Sequence, residues 1–416
     1  MAVLISLAAA IAVILFMSGK KFPLYISLTT AAIVMSFING RFISFIWDCI
    51  VKTVKDGQTY SMVVIIILIT VLSHVTMKFG ILDKMVESLE DIVRSTKAAI
   101  MLAPAFMGML LITGGAYISC PVVDSLGDKL KMDEGHKSAV NLCFRHSMYF
   151  LMPLSPTIVM ASELSGISVW TFIARQMPIT VALFIAGYFT LLRGLAAPKL
   201  PPITKKQYFS SFGTFWVYSL PITLSVISSF LLPFYIAPAI GIVTAFIIHA
   251  VDVQRDPLKK LATPLPKFIA QGMNWKLVLS MIAVIFFKHI VTNLEPLYDL
   301  INGLLSSNVP MEFVLLFASG LVSYLMGSVQ PAVALLYPLI LPSVTLYSLK
   351  VFYALIIYTT GFLFYYWSPM HLCQIVTLEY FSAEAKALYK RNYYILIICL
   401  FIVSILWYTF YRFVLL

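Results

Sequence analysis

Stretches of about 20 residues with little or no charge recur along the whole chain, and a helix of that length crosses the hydrocarbon core of a bilayer. On that criterion full spans fall near 2–17, 22–38, 60–77, 139–163, 169–192, 211–232, 234–250, 276–292, 351–380 and 392–414. Of the 416 residues, 61% are hydrophobic and 11% charged, against roughly 45–50% and 25% in soluble chains. No soluble core can hide that much apolar side chain. The sequence is that of an integral membrane protein, which excludes disordered, secreted disulfide-framework and cytosolic-enzyme readings. The first run reads as a retained span and not a cleaved signal, because the basic pair Lys20–Lys21 follows it instead of preceding it. The five cysteines, Cys49, Cys120, Cys143, Cys373 and Cys399, show no metal-ligand spacing and read as small hydrophobes.

Two further apolar stretches are long for one crossing and short for two. Residues 98–130 are interrupted by Thr113-Gly114-Gly115 and Ser119-Cys120-Pro121, and residues 311–342 by Gly327-Ser328-Val329-Gln330-Pro331. Glycine tolerates backbone that other residues avoid and proline removes a donor, so each stretch is predicted to break at its centre. Both read as re-entrant helical hairpins whose tips stop inside the membrane. Charge tests this layout independently. With the N-terminus outside and each hairpin returning to its own side, 21 of the 29 Lys and Arg residues lie on the cytoplasmic side. Five lie outside, and Arg145, Arg175 and Lys288 fall within spans. That asymmetry is the positive-inside bias expected of a multi-pass protein in the cell (cytoplasmic) membrane. It also accounts for the net charge of +11 without a nucleic-acid partner.

The predicted fold class is therefore an all-α membrane protein, with about ten transmembrane helices plus two re-entrant hairpins in two inverted-topology repeats. Residues 1–192 hold three spans, the hairpin 98–130, the broken helix 139–163 and a last span. Residues 193–210 form a basic cytoplasmic linker. Residues 211–416 repeat the order from the opposite side, with the hairpin 311–342 and the broken helix 351–380. Gly114 and Ser155 of Ser155-Pro156 are 41 positions apart, as are Gly327 and Ser368 of Ser368-Pro369. A Ser-Pro inside a span frees carbonyls that, in lipid, only protein, trapped water or a bound solute can satisfy. Helix N-termini at such breaks suit an anion, and exposed carbonyls suit Na⁺.

The stretches Gly114-Gly115-Ala116, Pro121-Val122-Val123-Asp124, Asn141 through Phe144-Arg145-His146, and Pro153-Leu154-Ser155-Pro156 form one specific motif block. Ser368-Pro369-Met370-His371-Leu372-Cys373 with Thr377-Leu378-Glu379-Tyr380-Phe381 forms a second. Together they closely resemble an uncharacterised prokaryotic integral-membrane family, domain-of-unknown-function family 401, over nearly the whole chain. That family is similar to the ion transporter superfamily, so the resemblance implies inverted repeats, two re-entrant hairpins and an elevator-type secondary transporter. It supplies no substrate. The Ser-Asn-Thr hairpin signatures of dicarboxylate carriers are absent. Relatives of this fold are often dimers, so a homodimer is one arrangement the resemblance allows.

Charged groups in a bilayer core cost at least about 2.5–3.5 kcal/mol and usually face a cavity or a partner. Arg145, with His146 beside it, is thus a candidate anion contact; the bland alternative is that it snorkels to the cytoplasmic end, helped by Asp124 or Asp128. Asp124 has three readings: a cation ligand, a partner of Arg145, or a helix cap. His371 is a candidate midplane group able to carry a proton, or a histidine satisfied by a freed carbonyl. Thr113, Gly114, Gly115, Ser119, Ser155, Ser328, Gln330 and Ser368 complete the candidate solute contacts, and Gly114 and Gly327 join Asp124 and His371 as ion-coupling positions. Glu163, Glu379, Lys288 and His289 read as helix-end groups, and Tyr365-Tyr366-Trp367 as packing or interface belt. The leading reading is an ion-coupled transporter of a small anionic solute, not an enzyme, with no cofactor beyond Na⁺ or H⁺ as coupling ion. A cation/proton antiporter and an intramembrane enzyme acting on a lipid-linked substrate are the alternatives. Phosphate-loop, His-Glu-x-x-His and clustered-carboxylate patterns are absent, which weighs against the enzyme.

Overall fold

A computed structural model describes residues 2–20, 22–109, 116–198, 202–256, 264–294, 299, 302–303 and 309–415. Every regular element among them is helical. The helices begin where the sequence supplies an acceptor for orphaned N–H groups: Asp56, Ser95, Asp133, Ser168, Thr204 and Asn274 each cap a helix with their side chain. In chain order the first half contains α1 (Ala2–Gly19), α2 (Leu24–Ile38), α3 (Ile43–Lys55), α4 (Gly57–Lys78) and α5 (Ile81–Val93). There follow α6 (Thr96–Gly108), α7 (Ala116–Lys129), α8 (Glu134–Arg145), α9 (Pro156–Ser165) and α10 (Val169–Gly187). The second half contains α11 (Lys205–Leu231), α12 (Ala237–Arg255), α13 (Leu265–Gly272) and α14 (Trp275–Thr292). It continues with α15 (Met311–Met326), α16 (Gln330–Ile340), α17 (Tyr347–Trp367), α18 (Leu372–Tyr380), α19 (Ala385–Leu388) and α20 (Tyr394–Phe410).

Among the described residues, seven helices are long and apolar enough to cross a membrane. They correspond to the predicted spans 60–77, 169–192, 211–232, 234–250, 276–292, 351–380 and 392–414. The predicted spans 2–17 and 22–38 are present as shorter apolar helices. The stretch 139–163, read from the sequence as a broken helix, is two helices: α8 stops at Arg145, and α9 starts at Pro156 after an irregular stretch. Proline at the first helical position explains the restart, since its missing N–H is one the helix would orphan anyway. The stretch 351–380 breaks likewise at Ser368–His371, between α17 and α18. Large apolar side chains such as Leu231, Ile43 and Phe317 are at least two-thirds exposed, a surface that only lipid solvates favourably.

Three amphipathic helices, α3, α5 and α13, have no counterpart among the predicted spans. Their charged faces, such as Lys52 and Lys55 of α3 or Asp83 and Glu87 of α5, disqualify them from a span-length criterion. With α3 and α13 included, and α5 of the first half and the short α19 of the second set aside, both halves share one order: two apolar helices, an amphipathic one, an apolar one, a close helix pair, a broken helix and a last long helix.

The packing divides the chain into two groups. Helices α1–α5 pack with α11–α14, and α6–α10 pack with α15–α20, while α14 on α16, α5 on α6, α1 on α15 and α4 on α9 join the groups. Contacts recur reciprocally between the halves. Helix α2 packs on α14 and α12 on α4; α3 packs on α14 and α13 on α4; α9 packs on α16 and α18 on α7.

The turn between α15 and α16 is fixed by Gly327, whose φ of +58° lies in the left-handed region. A β-carbon there would also run into the Met370 carbonyl in the second break. Gly327→Ala is therefore expected to destabilise the purified protein by about 1–3 kcal/mol from backbone strain alone, read as a lower melting temperature. Gly213→Ala in α11, where nothing lies within 4 Å, should be neutral or stabilise by about 0.5–1 kcal/mol. Equal behaviour of the two variants in a thermal-shift assay would contradict this account of the turn.

Candidate functional site

The breaks meet. Arg145, His146, Pro156 and Thr157 from the α8–α9 break, Gly327 through Gln330 from the α15–α16 turn, and Tyr365, His371, Leu372 and Cys373 from the α17–α18 break line one cavity of about 360 Å³. Gly108 at the end of α6, Tyr149, and Asn274 and Leu277 at the start of α14 complete it. Close approach is enforced at two points. A β-carbon on Gly108 would collide with the backbone carbonyl of Arg145. The Ser368 hydroxyl donates to the Tyr324 carbonyl at 2.5 Å and accepts the Met370 N–H at 3.1 Å, tying the second break to α15.

Three helices, α9, α16 and α18, begin on the cavity, through Pro156 and Thr157, Gln330, and Leu372 and Cys373 respectively. Each contributes unpaired N–H groups and a partial positive charge. Arg145 adds a full charge. It is 5% exposed, and its Nη1 atom has no hydrogen-bond partner among the described residues. The two carboxylates considered from the sequence as its partners do not neutralise it: Asp124 and Asp128 each pair with Lys137 at 2.5 Å. No carboxylate occurs among the described residues that line the cavity. The chamber is cationic, so it can hold an anion.

His146 and His371 face each other with their Nε2 atoms 3.2 Å apart, and the Tyr365 hydroxyl lies 3.1 Å from the same His146 nitrogen. The Nδ1 of His146 sits 2.8 Å from the Leu142 carbonyl. A carbonyl only accepts, so Nδ1 carries the proton, and in the neutral ring Nε2 is left as an acceptor. Cys373 brings its sulfur to the same place: the donor atoms of His146, His371 and Cys373 all lie within 4.8 Å of one another. These three are the residues here able to hold a metal.

The sequence-derived candidates thus divide. Arg145, His146, Gly327, Ser328, Gln330 and His371 line the cavity. Ser155 is fully buried at the residue before α9, with its neighbours Pro156 and Thr157 on the cavity wall. Ser368 acts as the tie to Tyr324, and Asp124 belongs to the Lys137 ion pair away from the chamber. Thr113, Gly114 and Gly115 lie outside the described residues. Ser119 donates to Asn141 at 2.7 Å. Glu163 and its neighbours do more than meet solvent at a helix end: Ser61 donates to the Glu163 carboxylate at 3.2 Å and Gln58 to its carbonyl at 3.0 Å, joining α9 to α4. His289 and Lys288 face Asp56 at 3.0 and 3.8 Å.

Several participants gave little signal in the sequence. Tyr365 read as packing, yet its hydroxyl is a partner of His146. Cys373 read as a small hydrophobe, yet it stands two positions after His371 at a helix start; that spacing was the available clue. Asn274 looks like an ordinary cap, which it is for Leu277. It also separates the chamber from a second cavity of about 390 Å³ lined by Ser73, His74 and Lys276. Asn141 organises the other side of α8: it accepts from Ser119 and donates toward Thr377 at 3.1 Å and the Cys120 sulfur at 3.3 Å.

Fold and site define a polytopic helical membrane protein whose helix interruptions enclose a cationic chamber. Residues 1–410 match the family described as "Protein of unknown function (DUF401)", and the chain belongs to that family. No curated protein matches the sequence.

The Asn141 node holds α7, α8 and α18 together in a fully buried place. Asn141→Ala is expected to lower the melting temperature, at about 1–3 kcal/mol for each buried group left unsatisfied, and more than Thr377→Val does. A melting temperature unchanged in Asn141→Ala would remove this node from what holds the helices together.

Proposed function

We propose that the protein is an ion-coupled secondary active transporter that moves a small anionic solute across the cytoplasmic membrane. The observation that carries this reading is the buried guanidinium nitrogen of Arg145, unpartnered among the described residues, in a chamber whose described lining holds no carboxylate and onto which three helix N-termini open. An anion supplies what that chamber lacks. In this reading the pairs α6–α7 and α15–α16 are re-entrant hairpins, and the two halves are inverted-topology repeats. The common order of elements and the reciprocal contacts support it. The positive-inside distribution supports an external N-terminus. The chain's likeness to the ion transporter superfamily belongs to the same proposal.

The mechanism we infer is of the elevator type. The chamber is built almost wholly from the group α6–α10 with α15–α20, while Asn274 and Leu277 reach it from the other group. A rigid-body shift of the first group against the second would carry the chamber and its anion past a fixed wall. The second cavity beyond Asn274, with Lys276 at its rim, is the route by which the solute leaves or enters on the cytoplasmic side. The antiporter alternative relied on Asp124 and His371; the engagement of Asp124 with Lys137 leaves only the histidine pair to support it.

The test is uptake into proteoliposomes, using a panel of radiolabelled mono-, di- and tricarboxylates, phosphate and sulfate under imposed Na⁺ or proton gradients. Gradient-dependent accumulation of at least one anion is expected, with Arg145→Gln lowering it by at least about tenfold through loss of a charge-assisted contact. Accumulation unaffected by Arg145→Gln would remove Arg145 from the site. Turnover of a lipid-linked substrate in detergent, without any gradient, would favour an enzyme instead.

A further inference from the structure

We propose that His146, His371 and Cys373 form a binding site for a divalent transition-metal ion of the Zn²⁺ type, with one coordination position open to the chamber. The three side chains come from two separate breaks: His146 follows α8, His371 precedes α18, and Cys373 is the second residue of α18. Their donor atoms lie within 4.8 Å of one another. The two Nε2 atoms are 3.2 Å apart. Two imidazole nitrogens bound tetrahedrally to one zinc at 2.0–2.1 Å are separated by about 3.3 Å. The rings therefore already stand at the edge length of a chelate, and the sulfur needs to close by roughly 1 Å to complete a face.

Local structure prepares this donor set. The His146 Nδ1–H is held by the Leu142 carbonyl at 2.8 Å, the outer hydrogen bond that orients a metal-ligating histidine and leaves its other nitrogen without a proton, its lone pair facing Tyr365 and His371. Tyr365 and Tyr366 pack against both rings. Cys373 is partly exposed on the cavity wall, where a side-chain rotation can bring its sulfur inward. Two imidazoles and a thiolate select Zn²⁺ or Co²⁺ over Na⁺, Mg²⁺ or Ca²⁺, which prefer oxygen.

The binding step balances without any other reagent. The ion takes up the sulfur as thiolate and the thiol proton leaves to solvent. Both imidazoles stay neutral: the proton that His371 directs through Nε2 at His146 is exchanged to its Nδ1, which has no partner among the described residues, so that Nε2 can bind the ion. The site then has a net charge of +1 beside the guanidinium of Arg145, a repulsion that an anion in the open fourth position relieves. Metal and anion therefore strengthen each other's binding. The assignment goes beyond the transport reading and does not require it, because metal binding needs no gradient.

The test is a Co²⁺ titration of the tag-free, metal-stripped protein in detergent, followed by the thiolate-to-cobalt charge-transfer absorption and reversed with Zn²⁺. One equivalent of Co²⁺ should produce the band. Cys373→Ser should abolish it, His371→Gln should weaken binding by at least about tenfold, and Cys399→Ser, at a cysteine outside the chamber, should leave it intact. No thiolate band in the unmutated protein, or a band that survives Cys373→Ser, overturns the proposal. Either result leaves the anion-uptake measurement, and the reading it tests, standing separately.

Discussion

A helix that stops inside hydrocarbon leaves N–H and C=O groups that lipid cannot satisfy, at several kcal/mol each. On the placement proposed for the breaks, interrupted helices must therefore find one another, and most of what is distinctive in this protein follows from that constraint. The α8–α9 break, the α15–α16 turn and the α17–α18 break share a single chamber. The approaches are close enough that Gly108 and Gly327 have no room for a side chain, and the Ser368 hydroxyl serves a carbonyl of α15 and an amide of its own break together. Satisfying the breaks creates a polar volume as a by-product, and that volume is where chemistry can occur.

The sign of the chamber is set by what the sequence withholds. Carboxylates are present nearby, yet Lys137 takes both Asp124 and Asp128, and no carboxylate among the described residues lines the chamber that holds Arg145. A buried cation without its counter-ion is destabilising by itself, and retaining one is explained when an anion completes it in use. The histidine pair and Cys373 lie beside this charge and not remote from it. Solute recognition and metal coordination, if both operate as proposed, are then parts of one electrostatic unit.

Much of the fold was legible because lipid imposes simple rules. Span lengths located the long apolar helices, and Gly327 with Ser368-Pro369 marked real interruptions. What stayed hidden was of two kinds. Short amphipathic helices such as α3 and α13 carry too much charge and too few residues to register as spans, although their periodicity was there to be read. The partners of side chains were hidden for a different reason. Nothing local distinguishes the aspartate that meets Lys137 from one that meets Arg145, or a tyrosine that packs from one that bonds His146 across a sequence separation of 219. Arg145, His146 and His371 stood out because polar groups are rare in spans. Cys373, Tyr365 and Asn274 did not, since each is ordinary for the element that holds it.

The central claim is that the interrupted helix pairs turn back within the membrane, so that their ends meet at one chamber. Sided labelling of α15–α16 tests it most directly, with single cysteines at Val309 and Leu346, both exposed, on a background lacking the native cysteines. Applied to oriented vesicles, a membrane-impermeant maleimide should label both positions from the same, external, side. Labelling of the two positions from opposite sides would make the pair an ordinary crossing and contradict the account.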